Sequence, residues 1–129
     1  MINNSKGYIA ISSVVIVLAV ILSITITMSY SSIGEAQSGL ALFQGEENMY
    51  HAESCAEDVM LKIRLNPVAV ASFTRPEGTC SIAYTLSGPV NWDMTVTFVS
   101  ATSTTISRSI RVIFSRNATG LTMTTWNEI

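Results

Sequence analysis

With 129 residues, a formal charge of −2 and only 12% charged residues, the chain has room for one small domain and little charge to keep it soluble. Seven lysines and arginines spread over this length cannot line a phosphate track, which excludes a general nucleic-acid-binding surface. With one histidine, two cysteines and no paired-cysteine spacing, neither a metal centre nor a cofactor is expected.

The chain begins MINNSKG, in which Lys6 is the only charged side chain. No charge then occurs from Tyr8 to Ile33, and Tyr8 to Met28 is long enough to cross a hydrocarbon core of ~30 Å as a helix rising ~1.5 Å per residue. Its β-branched residues favour helix poorly in water. In lipid, however, a lone span satisfies its backbone only as a helix, and no Pro or Gly interrupts this one. A cleaved secretory peptide has an apolar stretch of roughly 7–15 residues ending in an Ala-x-Ala-like site. The run here is longer and leads into Ser29-Tyr30-Ser31-Ser32-Ile33-Gly34, so ordinary signal cleavage is not expected. Lys6 precedes the span, and Glu35, Glu46, Glu47, Glu53, Glu57 and Asp58 follow it. That asymmetry predicts a cytoplasmic N-terminus with the bulk of the chain outside.

Beyond Gly34 and Gly39, each costing about 1 kcal/mol in a helix interior, the pattern becomes amphipathic. Met49, Ala52, Ala56, Val59, Met60 and Ile63 recur at helical spacings and form one apolar stripe. An earlier stripe of Ile33, Leu40 and Phe43 leads into it, while Glu46, Glu47, Glu53, Glu57 and Lys62 lie elsewhere on the cylinder. Asn66-Pro67 ends the helix near Leu65, since a residue before proline is pushed out of the helical region.

After a linker over 68–78 the period changes from helical to alternating. Cys80, Ile82, Tyr84 and Leu86 share one side of a first strand, and Trp92, Met94, Val96 and Phe98 repeat the pattern after the turn residues Ser87-Gly88-Pro89-Val90-Asn91. Residues 101–105 connect to a third strand, 106–115, on which Ile106, Ile110, Val112 and Phe114 align. Asn117-Ala118-Thr119-Gly120 then turns into 121–129. The expected fold is α+β: a long N-terminal helix, transmembrane in its first half, packed through its apolar stripe on a small antiparallel sheet of four strands.

Cys55 falls late in the helix and Cys80 on the first strand. An even cysteine count in an exported small domain reads as one disulfide, the alternative being two unpaired buried thiols. No phosphate-binding loop or zinc-hydrolase motif occurs, and the helical carboxylates read as a solvated face, so an enzyme is not expected. His51, beside Tyr50, reads as a surface or interface residue. Asn117-Ala118-Thr119 matches an N-glycosylation acceptor, but it coincides with a turn where Asn and Gly are expected for backbone reasons. Arg108 and Arg116 are an even number of residues apart and share a strand face, whereas Arg111 points oppositely; they make a possible ligand patch or a set of solubilising edge charges.

Ser5-Lys6-Gly7-Tyr8, the uninterrupted apolar helix, its amphipathic continuation and a small β domain carrying Cys55 and Cys80 together resemble a type IV pilin-like protein. The resemblance covers the whole chain and implies cleavage by a prepilin peptidase between Gly7 and Tyr8, with methylation of the new N-terminus. Major pilins usually carry glutamate as the fifth residue after the cut, and here that residue is Ser12. The chain therefore looks more like an accessory subunit, a minor pilin of the PilX type or a pseudopilin. The implied organisation is a leader (1–7), a membrane and filament-core helix (8–33), its amphipathic continuation (34–66) and a β domain (67–129). The implied partners are other pilin-like subunits and the pilus assembly machinery, with nucleic acid only if the filament takes up DNA. The implied locations are the cytoplasmic membrane and an extracellular filament. The alternative is an unprocessed, signal-anchored single-pass protein whose outer β domain binds a partner.

Overall fold

The computed structural model describes residues 4–102 and 106–129. Of the leader, residues 1–3 lie outside the described residues, as do 103–105 of the connector between the second and third expected strands. Helix α1 spans Asn4–Leu65, followed by strands β1 (Ser72–Arg75), β2 (Gly78–Ser87), β3 (Asn91–Ser100), β4 (Ser107–Asn117) and β5 (Gly120–Glu128). The chain divides into two compact units, Met1–Ala41 and Leu42–Ile129.

In the first unit the helix carries apolar side chains on all sides from Tyr8 to Met28, and the large ones are exposed. Ile9, Ile16, Val17, Leu22, Ile24 and Met28 are each at least half exposed. Its hydroxyls turn inward on the helix's own backbone: Ser12 Oγ donates to Ile9 O at 3.0 Å, Thr25 Oγ1 to Ile21 O at 2.8 Å and Thr27 Oγ1 to Ser23 O at 2.8 Å. Such back-bonding satisfies a hydroxyl without water or a partner helix.

The second unit is an antiparallel meander of five strands in chain order, with residues 42–65 of α1 packed on one face. The fold class is as expected, but there are five strands rather than four. Pro76 and Gly78 make residues 68–78 read as a linker, yet they close a hairpin in which Phe73 pairs with Cys80 and Arg75 with Gly78. Gly78 is required there by close approach: a Cβ would collide with the Val99 carbonyl and lie 2.7 Å from the Phe98 ring.

Strand parity places Cys80, Ile82, Trp92, Met94, Val96, Phe98, Ile110, Val112 and Phe114 in the core, facing Ala52, Cys55, Ala56, Val59 and Ile63 of the helix. Met49 and Met60 flank this stripe and are half-buried, and Trp126 packs on the same core from β5. Ile33, Leu40 and Phe43, the earlier stripe, are exposed. One expectation fails here. Leu86 does not join Cys80, Ile82 and Tyr84, because the register shifts between Tyr84 and Leu86; Leu86 pairs with Asp93 and is half exposed. A bulge of this kind moves a side chain to the opposite face. That outer face is rich in hydroxyls: Ser72, Ser81, Thr97 and Ser109 form one row across four strands, with Thr97 and Ser109 hydrogen-bonded at 2.9 Å.

Candidate functional site

Two surfaces carry the functional reading: the uncovered apolar helix and the joint between helix and sheet. Between Tyr8 and Ile33, sixteen large apolar side chains are exposed. At about 1.5–3 kcal/mol for each side chain of this size removed from water, covering them is worth tens of kcal/mol, more than the 5–15 kcal/mol that holds a typical domain folded. By length and composition this helix could cross a membrane, and a surface of this kind suits a membrane anchor or a signal segment. Gly7 and Tyr8, the expected processing residues, lie near the start of α1 and are both exposed. A Cβ on Gly7 would meet nothing within 4 Å.

The joint is covalent. Cys55 and Cys80 form a disulfide across fully buried positions, their Cα atoms 6.2 Å apart. Polar tethers flank it. Asn48 is buried and its Nδ2 donates to Ile106 O at 2.9 Å, fixing the helix to the segment before β4. From β1, Arg75 donates to Ser54 Oγ at 2.9 Å and pairs with Asp58. Lys62 Nζ sits 4.3 Å from the Phe73 ring centroid, a cation–π contact. Asn48 and Arg75 were not legible as tethers, because an asparagine amid glutamates and an arginine beside a proline carry no periodic signal.

The two arginines of the possible ligand patch do share the helix-facing side of β4, as parity requires, but they do not come together. Eight residues of strand separate them, roughly 27 Å at 3.4 Å per residue. Arg108 lies over Gly45 of the helix and pairs with Glu128 at 3.0 Å. Arg116 reaches the other end of this helical segment, where Nη2 donates to Arg64 O at 3.4 Å. With Lys62 and Arg64 in the last turn, Arg116 complements the negative end of the helix dipole.

Arg111 faces the outer side and grips Asp93 with two hydrogen bonds, Nε to Oδ1 at 3.0 Å and Nη2 to Oδ2 at 2.7 Å. Those hydrogen bonds, helped by the guanidinium charge and opposed by partial burial, hold the Asp93 carboxyl below its usual range. Tyr84 clamps the segment before β1: its hydroxyl donates to Val70 O at 3.0 Å and accepts from Val70 N–H at 2.9 Å. Burial raises its pKa, and the hydrogen bond to Val70 offsets part of that rise. His51 is half-buried, its ring 5.0 Å from that of Phe98. Glu46, Glu47 and Glu57 are exposed along the helix. Among the described residues no group of three or more His, Cys, Asp or Glu side chains is placed to hold a metal ion.

No family model, curated protein or solved structure matches the chain.

Proposed function

We propose that this chain is an accessory structural subunit of a type IV pilus or a related secretion filament, anchored in the cytoplasmic membrane and cut between Gly7 and Tyr8 before assembly. The observation that carries this reading is the division of labour between the units. One offers an uncovered apolar helix, and the other closes its own core and disulfide around the following helical segment. A disulfide belongs outside the cytoplasm, in keeping with a domain exported behind an N-terminal anchor.

The mechanism rests on exchange of like surroundings. In the membrane the Tyr8–Met28 surface is covered by acyl chains; in a filament core the same side chains meet the corresponding helices of neighbouring subunits. One apolar environment replaces another, so transfer is nearly neutral in free energy and an external motor can drive it in small steps. Ser12 supports an accessory role. Its hydroxyl is satisfied by Ile9 O, so it needs no N-terminal amine from a neighbour, whereas a glutamate buried there would need a partner. The partners in this reading are other pilin-like subunits, a prepilin peptidase and the assembly machinery.

Mass spectrometry of the protein from native membranes and from sheared surface material tests the proposal. A chain beginning at N-methylated Tyr8 and enriched in the sheared fraction is the expected result. A chain that retains MINNSKG and stays in the membrane refutes it and leaves a signal-anchored protein whose β unit binds a partner.

A further inference from the structure

We infer that Asn117, at the tip of the β4–β5 hairpin, is an acceptor for N-linked sugar. The tip joins Asn117 to its cross-strand partner Gly120 through only Ala118 and Thr119. Asparagine and glycine at such a tip ordinarily have a backbone explanation, either positive φ or a side-chain hydrogen bond to the turn. Neither is seen here, although Asn first and Gly fourth is also the usual pairing of a turn with negative φ. Among the described residues none has a positive φ. The hydrogen bonds at this corner come from Arg116, whose N–H donates to Val90 O at 2.6 Å and whose Nη2 donates to Arg64 O. The Asn117 amide makes none with the described residues.

The tip also has the geometry of an acceptor. Asn117, Ala118 and Thr119 are all exposed, and a Cβ built on Gly120 meets nothing within 4 Å, so the tip stands in open space. The Asn-x-Thr pattern requires a hydroxyl two residues after the amide and any residue but proline between them; Thr119 and Ala118 meet both conditions. The disulfide favours a location outside the reducing cytoplasm, and the inference rests on transfer of a lipid-linked sugar on that side of the membrane. In the reaction the Asn117 amide nitrogen attacks the anomeric carbon of an oligosaccharide carried on a lipid pyrophosphate. A C–N bond forms, the bond from carbon to the pyrophosphate oxygen breaks with its electron pair leaving on the lipid pyrophosphate, and the amide gives up one proton. A glycan here would cover the end of the β unit beside the C-terminus of α1, the end that Arg116 marks.

The inference depends on export but not on cleavage after Gly7, and one experiment separates the two. The protein is taken from native membranes, digested with trypsin and examined by mass spectrometry, alongside Thr119→Val and Thr119→Ser variants expressed in the same cells. Cleavage after Arg116 releases residues 117–129 as one peptide. The expected result is a saccharide mass increment on Asn117 in the natural protein and in Thr119→Ser, with none in Thr119→Val, while all three unfold at the same temperature. A bare Asn117 peptide in the natural protein overturns the inference, as does an increment that survives Thr119→Val. The N-terminal peptide in the same digest reports on the filament reading independently: a glycosylated chain that retains MINNSKG upholds the acceptor and defeats the filament, and a chain beginning at Tyr8 with a bare Asn117 does the reverse.

Discussion

Replacing Cys55 and Cys80 with alanine removes a cross-link between positions 25 residues apart, for which loop-closure entropy gives about 3.5 kcal/mol at 25 °C. In a domain of this size each kcal/mol is worth about 4–8 °C, so the melting temperature should fall by about 14–28 °C. The packing lost with two small, fully buried side chains has to be separated from the cross-link. Cys55→Ala alone does this, because it breaks the bridge yet leaves the Cys80 thiol in place. The assay is urea unfolding of the full chain in detergent micelles, followed by tryptophan fluorescence, to which Trp92, 2% exposed when folded, and the partly buried Trp126 both contribute from the same core. The single and double variants should lie close together, both far below the natural protein. The cross-linked form should also show the smaller denaturant dependence, since its unfolded chain is held more compact. A loss under about 1 kcal/mol in the double variant would show that Asn48, Arg75 and the apolar stripe hold helix to sheet without covalent help.

Three other perturbations have definite outcomes. Val17→Asp puts a carboxylate in the exposed apolar span, at a cost of about 2.5–3.5 kcal/mol near a bilayer centre; recovery in sheared filaments should drop sharply, and normal levels there would contradict the assembly mechanism. Gly78→Ala drives a methyl group into the Val99 carbonyl and the Phe98 ring, with an expected loss of about 1–3 kcal/mol; an unchanged unfolding curve would show that the β1–β2 hairpin yields freely. Asp93 has its folded pKa lowered by Arg111, so its contribution is fully present above the unfolded value of about 3.9 and is lost as pH falls through the lower folded value. Asp93→Asn should therefore flatten the acid side of the stability profile, and a profile as steep as the natural one would refute the assignment.

The parts of this fold that repeat were legible in the sequence, and the parts that occur once were not. The end of α1 followed from Asn66-Pro67, and the core of β3 and β4 followed from the alternation of Trp92, Met94, Val96 and Phe98 and of Ile110, Val112 and Phe114. Strand β1 escaped because four residues beside Pro76 show almost no period, and only its pairing with β2 gives Phe73 a core to join. Leu86 was misplaced because a bulge reverses parity without leaving a mark in composition. The arginines show the limit at the level of a site. Parity rightly put Arg108 and Arg116 on one face, but it could not show that the helix lies between them and engages each at a different end. The proposed processing segment is the converse case: a local cleavage signal at Gly7 and Tyr8 would be read from the sequence itself, and the fold adds only that both residues are exposed near the start of α1.

The position of the disulfide also has a mechanical meaning. Cys55 lies near the middle of the helical segment that the sheet covers, and Cys80 lies early in β2. Contacts between apolar side chains have no preferred direction, so a helix pulled along its axis could slip past a sheet one turn at a time, trading each contact for its neighbour. A covalent pin at mid-segment forbids that sliding. Under the proposed assembly, tension along the helix would reach the strands as shear across that bond, and the strands would move with the helical segment they cover.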